Sequence, residues 1–362
     1  MLPRWTTFRK AGECHDMAPS VHLCARLTLN SYGWICIACV ATINCFTWGV
    51  AASYGVYLSF YLSLDYFPSA TPLDYALIGG LQFACAMLFA PFVTITCRRL
   101  GLRTTMSIGV LAHALGFIFA SFSNGRIWII YLTQGALTGT GLSFMFIPSV
   151  AVLPQWFWKR RTLAQGLSSA GAGLGGLAFS LGTDAMIRHI SLPWSLRITG
   201  ILCFVFNMLA TALIRDRNAS VMPTQLGFAT YLLKRRDVLT LLAYGFINML
   251  GYITILYSLS NFAISLGLTQ KEASNITAIL NLGTLIGRPF LGIASDKLGR
   301  IPIAASSAMV TGLSCFVIWI PCDSYGVLIF YAFFAGRIIG TFWMVRDLLS
   351  SCLAELTSSC RP

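Results

Sequence analysis

Charge is what this sequence has least of. Asp, Glu, Lys and Arg make up 10% of its 362 residues, against roughly 25% in a soluble domain. A chain so poor in charge could not cover its own surface in water, and with 56% hydrophobic residues it is further still from disorder. Histidine is scarcer, at four residues, and the C-x-x-C pair of Cys36 and Cys39 has no second pair to complete a zinc site. No metal or cofactor is expected. No nucleophile and base pair stands on a credible scaffold, which leaves a soluble enzyme without support. From Met1 to Asn30 there is no apolar core and no cleavage signal, so the segment reads as a cytosolic tail, with the first apolar run as insertion signal.

What the chain has in abundance is long apolar runs. They cover about 34 to 62, 75 to 97, 104 to 122, 127 to 153, 163 to 183, 194 to 214, 238 to 265, 273 to 295, 302 to 321 and 324 to 345, each near the roughly 20 residues a transmembrane helix needs. Ten helices in a lipid bilayer are therefore predicted, and no strand pattern competes, because an open sheet edge is not tolerated in hydrocarbon. The formal charge of +13 could suggest nucleic acid, but the basic residues sit in short clusters between the runs. Such clusters mark a cytoplasmic membrane face instead. Nineteen Lys and Arg fall in the N-terminal tail, the even-numbered turns and the C-terminal tail, while the alternate loops hold only Arg126, Arg188, Arg197 and Lys271. The N-terminus is thus expected in the cytoplasm. The polar stretch 215–237 divides the chain into a tail (1–30), a six-helix bundle (31–214), the central loop, four further helices (238–345) and a second tail (346–362). Paired bundles with a solute site between them at mid-membrane are a common transporter plan.

Gly171, Gly173 and Gly176 spell G-x-G-x-x-G, but a dinucleotide fingerprint needs a preceding strand. Inside an apolar run, Gly166, Ala170, Gly171 and Gly175 read as a small-residue face for close helix packing. Gly292-Ile-Ala-Ser-Asp296-Lys297-Leu-Gly299-Arg300 closes the eighth run. A carboxylate at a helix end can pair with cations and helix termini across a cytoplasmic seam and so latch one conformation. The stretch resembles G-x-x-x-D-[RK]-x-G-[RK], the signature of the major facilitator superfamily. At the matching turn after the second run, Arg98 stands where the acid would fall. Trp156-Phe157-Trp158-Lys159-Arg160-Arg161-Thr162-Leu163-Ala164-Gln165-Gly166, continuing to Ala170-Gly171 and Gly175, is similar to the [YF]-F-x-K-R-R-x-L-A-x-G-x-x-x-A-G-x-x-x-G signature of the monocarboxylate-porter family, especially its fungal branch. Tyr32-Gly33-Trp34, Trp48-Gly49-Val50 and Trp194-Ser-Leu-Arg197-Ile-Thr-Gly200 extend the likeness.

The resemblance implies an all-α membrane protein of the two-bundle major-facilitator type, with about ten of the usual twelve helices. It implies a small organic solute, a monocarboxylate or related anion, moved by alternating access across the plasma or vacuolar membrane. The lipid bilayer is the other partner, no nucleic acid is expected, and the oligomeric state stays open. Lys159, Arg160 and Arg161 join Gly292, Asp296, Lys297, Gly299 and Arg300 as the expected latch. In proton-coupled animal members a first-helix lysine and an eighth-helix aspartate, with an arginine four residues on, serve the proton and the carboxylate. The corresponding positions here hold Ala52, Thr284 and Arg288, so transport is expected to be facilitative or weakly coupled. Arg288 lies about 6 Å past the middle of its run, where an arginine costs about 2.5 to 3.5 kcal/mol on insertion scales and usually faces a polar cavity. Thr284 and Asn281 share its face, and Asn44 and Trp48 share a face of the first helix. These five are the candidate substrate-binding residues. Arg337 is read as a structural anchor, His113 as a packing residue, and Asp184 with Arg188 as an i, i+4 ion pair. The rival readings are a truncated, non-transporting family member, since no eleventh or twelfth apolar run follows Trp343, and a solute sensor on the same fold.

Overall fold

A computed structural model describes residues 31–64, 70–157, 161–217 and 236–340. The two tails and most of the central loop lie outside them. Among the described residues all regular structure is helical, as a chain denied water for its backbone groups requires. Ten rods follow the ten apolar runs. The first, α1, comprises Ser31–Asn44, a π-helical turn at Cys45–Gly49, Val50–Ala52 and Tyr54–Leu64. Then come α2 (Pro72–Leu88 and Ala90–Leu100), α3 (Leu102–Ala120), α4 (Ile127–Ile130, a π turn at Tyr131–Leu137, and Thr138–Trp156), α5 (Arg161–His189) and α6 (Leu192–Leu213). After the central loop run α7 (Arg236–Ser265), α8 (Gln270–Leu298), α9 (Arg300–Ser314 with a π turn at Cys315–Trp319) and α10 (Tyr325–Ile338).

Seven of these rods are long and apolar enough to cross a membrane, and α2 makes an eighth if its halves are one span bent by 46°. The bend has a local cause. Pro91 brings no N–H to the helix and its ring crowds the carbonyl four residues back. The two rods that miss the criterion differ in kind: α10 is a 14-residue helix, and α5 is rich in Gly and Ser.

The composition of α5 follows from its position, pressed between α1 and α8. A Cβ added at Gly171 would lie 2.1 Å from the Ala41 carbonyl oxygen, and one at Gly175 would lie 2.1 Å from that of Cys45. On another face, a Cβ at Gly173 would meet the Leu285 nitrogen at 2.5 Å, and one at Gly176 the Asn281 side chain at 2.3 Å. The glycines thus form two packing faces, one toward α1 and one toward α8, and the G-x-G-x-x-G pattern holds helices and not a nucleotide. The same device joins α8 to α10, where Gly283 and Gly287 admit the backbone of Phe333 to Arg337.

Where α1 carries its π turn, the Phe46 carbonyl accepts from Cys203 Sγ (3.3 Å) and Asn207 Nδ2 (3.5 Å) of α6. The C-terminal carbonyls of α6 are met by three other helices. Tyr32 Oη donates to Leu213 (2.7 Å), Arg103 to Ile214 (3.3 Å) and Trp156 Nε1 to Arg215 (3.1 Å). Helix ends leave carbonyls without intrahelical partners. Here side chains from α1, α3 and α4 supply them. His113 is fully buried, with Nδ1 3.1 Å from the Thr138 carbonyl, its ring edge-on to Phe117 and, among the described residues, no partner for Nε2. Asp184 and Arg188 form the expected ion pair, and Arg337 stacks over Phe333 at 4.4 Å.

Candidate substrate site and latch

Arg288 sits on α8 one turn past Thr284, with only 5% of its surface exposed. Its Nη1 donates to the Ser169 carbonyl of α5 at 2.5 Å. The Tyr252 phenol of α7 interacts with the same guanidinium. On a further side is the chain at Gly340, just beyond α10, where an added Cβ would be 3.0 Å from Nη2. That glycine has φ +87°, so both its backbone and the guanidinium beside it exclude a larger residue. Among the described residues, Nε of Arg288 has no hydrogen-bond partner, and it is buried. Among the described residues no carboxylate pairs with Arg288, the ion pair of Asp184 with Arg188 being the one found. A buried cation held by a carbonyl, with a phenol nearby and a donor left over, is suited to an anion.

The other four candidates gather only in part. Asn44 Nδ2 donates to the Ser168 carbonyl at 3.0 Å, so Asn44 and Arg288 grip consecutive carbonyls of α5 from two different helices. Thr284 Oγ1 faces the α8–α10 seam, 3.1 Å from both the Leu280 and Gly336 carbonyls. Asn281 Nδ2 donates to the Thr277 carbonyl at 2.9 Å, and its amide fills the space over Gly176. Trp48 packs among Phe83 and Phe146, with ring centroids at 5.1 and 5.3 Å. Ser169, Tyr252 and Gly340 were not singled out from the sequence, since nothing local marks a carbonyl, a tyrosine and a glycine on three helices as neighbours of Arg288.

At the far end of α8, Asp296 Oδ2 accepts the Leu163 backbone N–H at 3.1 Å. Leu163 is in the first turn of α5, where N–H groups are unpaired and the helix dipole is positive. A Cβ on Gly292 would lie 2.9 Å from the Thr162 carbonyl, so that glycine sets how closely α8 approaches the start of α5. Gly299 turns the chain into α9 at φ +97°, as Gly101 does into α3 at φ +82°. Lys297 is exposed. Lys159 and Arg160 lie outside the described residues, as do the side chains of Arg161 and Arg300.

The profile of the Major Facilitator Superfamily matches residues 36–358. The chain belongs to that superfamily. "Probable transporter MCH2" of Saccharomyces cerevisiae is 37% identical over 320 residues, spanning 87% of this chain and 67% of the relative. "Uncharacterized transporter ESBP6" of the same yeast is 36% identical over 332 residues, spanning 88% of this chain but 49% of the relative. The chain thus spans about two thirds of one and half of the other. A solved structure of a double-Trp mutant of XylE superposes with a TM-score of 0.65 at 13% identity, over 87% of this chain and 82% of that one, and shares the fold. The all-α major-facilitator architecture expected from the Gly292–Arg300 and Trp156–Gly175 motifs is the one found. Within it the Gly292–Asp296 segment meets a helix N-terminus through a carboxylate and a close backbone approach.

Proposed function

We propose that this superfamily member is a secondary transporter of a small organic anion, a monocarboxylate or close relative, with Arg288 as its anion-binding group. The observation that carries the reading is the buried guanidinium with, among the described residues, an unpartnered Nε and no acid beside it. Hydrogen bonds to a charged partner are about twice as strong as neutral ones, and the guanidinium fork matches a carboxylate. Asp296, at the end of α8 and bonded to the start of α5, serves as the latch of an alternating-access cycle.

Transport is facilitative or weakly coupled. Obligatory proton coupling needs a group whose protonation changes as the site switches sides, and neither Ala52 nor Thr284 titrates. In proteoliposomes, carboxylate uptake should run downhill and leave accumulation unchanged when an inward proton gradient is imposed. Uphill accumulation abolished by a protonophore would refute this.

Asp296→Asn should weaken the latch several-fold, because charge at a helix terminus contributes about 0.3 to 1 kcal/mol. In a background without the native cysteines, a cysteine at position 163 should then react faster with a water-soluble maleimide. An unchanged rate would remove Asp296 from the latch. The N-terminus and the central loop are cytoplasmic on the charge distribution of the loops. A cysteine placed at position 225 should therefore stay unlabelled by an impermeant reagent in intact cells, and strong labelling would invert the topology.

A further inference from the structure

A cavity of about 340 Å³ lies between α7, α9 and α10, within the roughly 300 to 1,000 Å³ range of small-molecule sites. Its walls come largely from Ile247, Ile255, Ala308 and Ile338. Within α9, Thr311 Oγ1 donates to the Ser307 carbonyl at 2.8 Å and Ser307 Oγ to that of Ala304 at 2.9 Å, while Tyr244 Oη of α7 donates across to the same Ala304 carbonyl at 3.2 Å and the Asn248 amide also lines the cavity. A lining so largely apolar favours an apolar guest over water.

Two of the residues that line the cavity, Tyr252 and Gly340, are also the ones that flank the Arg288 guanidinium. The one buried cation with a spare donor among the described residues of α8 therefore adjoins an apolar chamber. We propose that the anion recognised at Arg288 is an amphipathic carboxylate whose apolar body occupies the chamber between α7, α9 and α10. The inference rests on the reading of Arg288 as the anion-binding group and adds the size and polarity of what that anion carries. A short, fully polar acid would leave the chamber empty. A straight or branched hydrocarbon chain of medium length fills it while its carboxylate is directed at Gly340, where the absence of a side chain leaves a single backbone segment between the chamber and the guanidinium.

Two glycines give the inference a clean probe. Gly251 and Gly312 line the cavity, and a Cβ at either would meet nothing within 4 Å among the described residues, so a larger side chain there takes up chamber volume without displacing any of them. Calorimetric titration of the purified full chain with acetate, butanoate, hexanoate and octanoate, and with 1-octanol as the uncharged match, tests the proposal. Each added methylene should tighten binding roughly fourfold, the equivalent of about 0.8 kcal/mol per buried CH₂. Octanoate should thus bind more than about a hundredfold tighter than butanoate. In Gly312→Leu, and independently in Gly251→Leu, the octanoate-to-butanoate ratio should fall at least tenfold.

Carboxylate binding that depends on Arg288 but not on chain length would overturn the chamber assignment and leave the Arg288 reading standing. A chain-length effect that survives both leucine variants would also overturn it. Equal affinity for 1-octanol and octanoate would show a chamber that takes uncharged lipid chains, with no link to the cation. Carboxylate binding unchanged in Arg288→Gln would remove the Arg288 reading and this inference together.

Discussion

Arg288→Ala is expected to weaken anion binding by more than about a hundredfold, and Arg288→Lys by about tenfold. Truncating one partner of a buried, hydrogen-bonded charge pair costs about 2 to 5 kcal/mol, and about 3 kcal/mol is two decades in Kd. Lysine keeps the charge but offers one strongly hydrated ammonium in place of a planar fork. In the folded chain Nη1 is already committed to the Ser169 carbonyl, so a ligand must be met by the remaining nitrogens of the same group. An ammonium cannot present both directions at once. Affinity measured on purified, monodisperse protein separates this from a folding effect, because the Ser169 bond ties α8 to α5 whether or not solute is present. Should both variants fold, reach the membrane and bind carboxylates as before, Arg288 is a tie between helices and the anion site lies elsewhere.

Gly175→Val should prevent stable folding, while Gly182→Ala, two turns along the same helix, should be tolerated. The contrast follows from what each Cβ would meet. At Gly175 it is backbone: the Cys45 carbonyl oxygen at 2.1 Å and its Cα at 2.8 Å. No rotamer change relieves that contact, so α1 and α5 must separate along the seam that Asn44 and Ser168 close with a hydrogen bond. Overpacking by extra methylenes costs about 1 to 3 kcal/mol where side chains can adjust, and more is expected where only backbone can move. At Gly182 nothing lies within 4 Å, and alanine there gains up to about 1 kcal/mol of helix propensity. Thermal unfolding followed by size-exclusion profile in detergent should show Gly175→Val aggregated and Gly182→Ala at or above the native midpoint. A native-like Gly175→Val would mean that the α1–α5 seam is looser than the packing of Gly171 and Gly175 requires.

The extent to which the site was legible from sequence varies residue by residue. Asp296 was recognisable because its motif is contiguous: a carboxylate, a basic residue and a glycine at fixed offsets close one helix. Its partner was legible only by kind: a helix terminus was among the expected partners, but which one was not, since every helix start has such donors, and the N–H met is that of Leu163. Arg288 was conspicuous for the opposite reason, as an isolated charge in an apolar run. Thr284 and Asn281 share its helical face by spacing, yet α10 and α5 lie against that face and engage both in packing contacts.

What the sequence by itself determined is the number, length and order of the apolar helices, because the bilayer forces each segment to satisfy its own backbone and that demand is met within one run of residues. The bend in α2 and the turns at Gly101 and Gly299 belong with it, since proline and positive φ act over a few bonds. Only the tertiary structure decided which face of α5 meets α1 and which meets α8, that the Phe46 carbonyl turns to α6, and that Arg288 is enclosed by Ser169, Tyr252 and Gly340. Those contacts join residues tens to well over a hundred positions apart. In an environment where every helix face is apolar, hydrophobicity does not say which face goes where, and close packing of small residues with a few hydrogen bonds makes the choice.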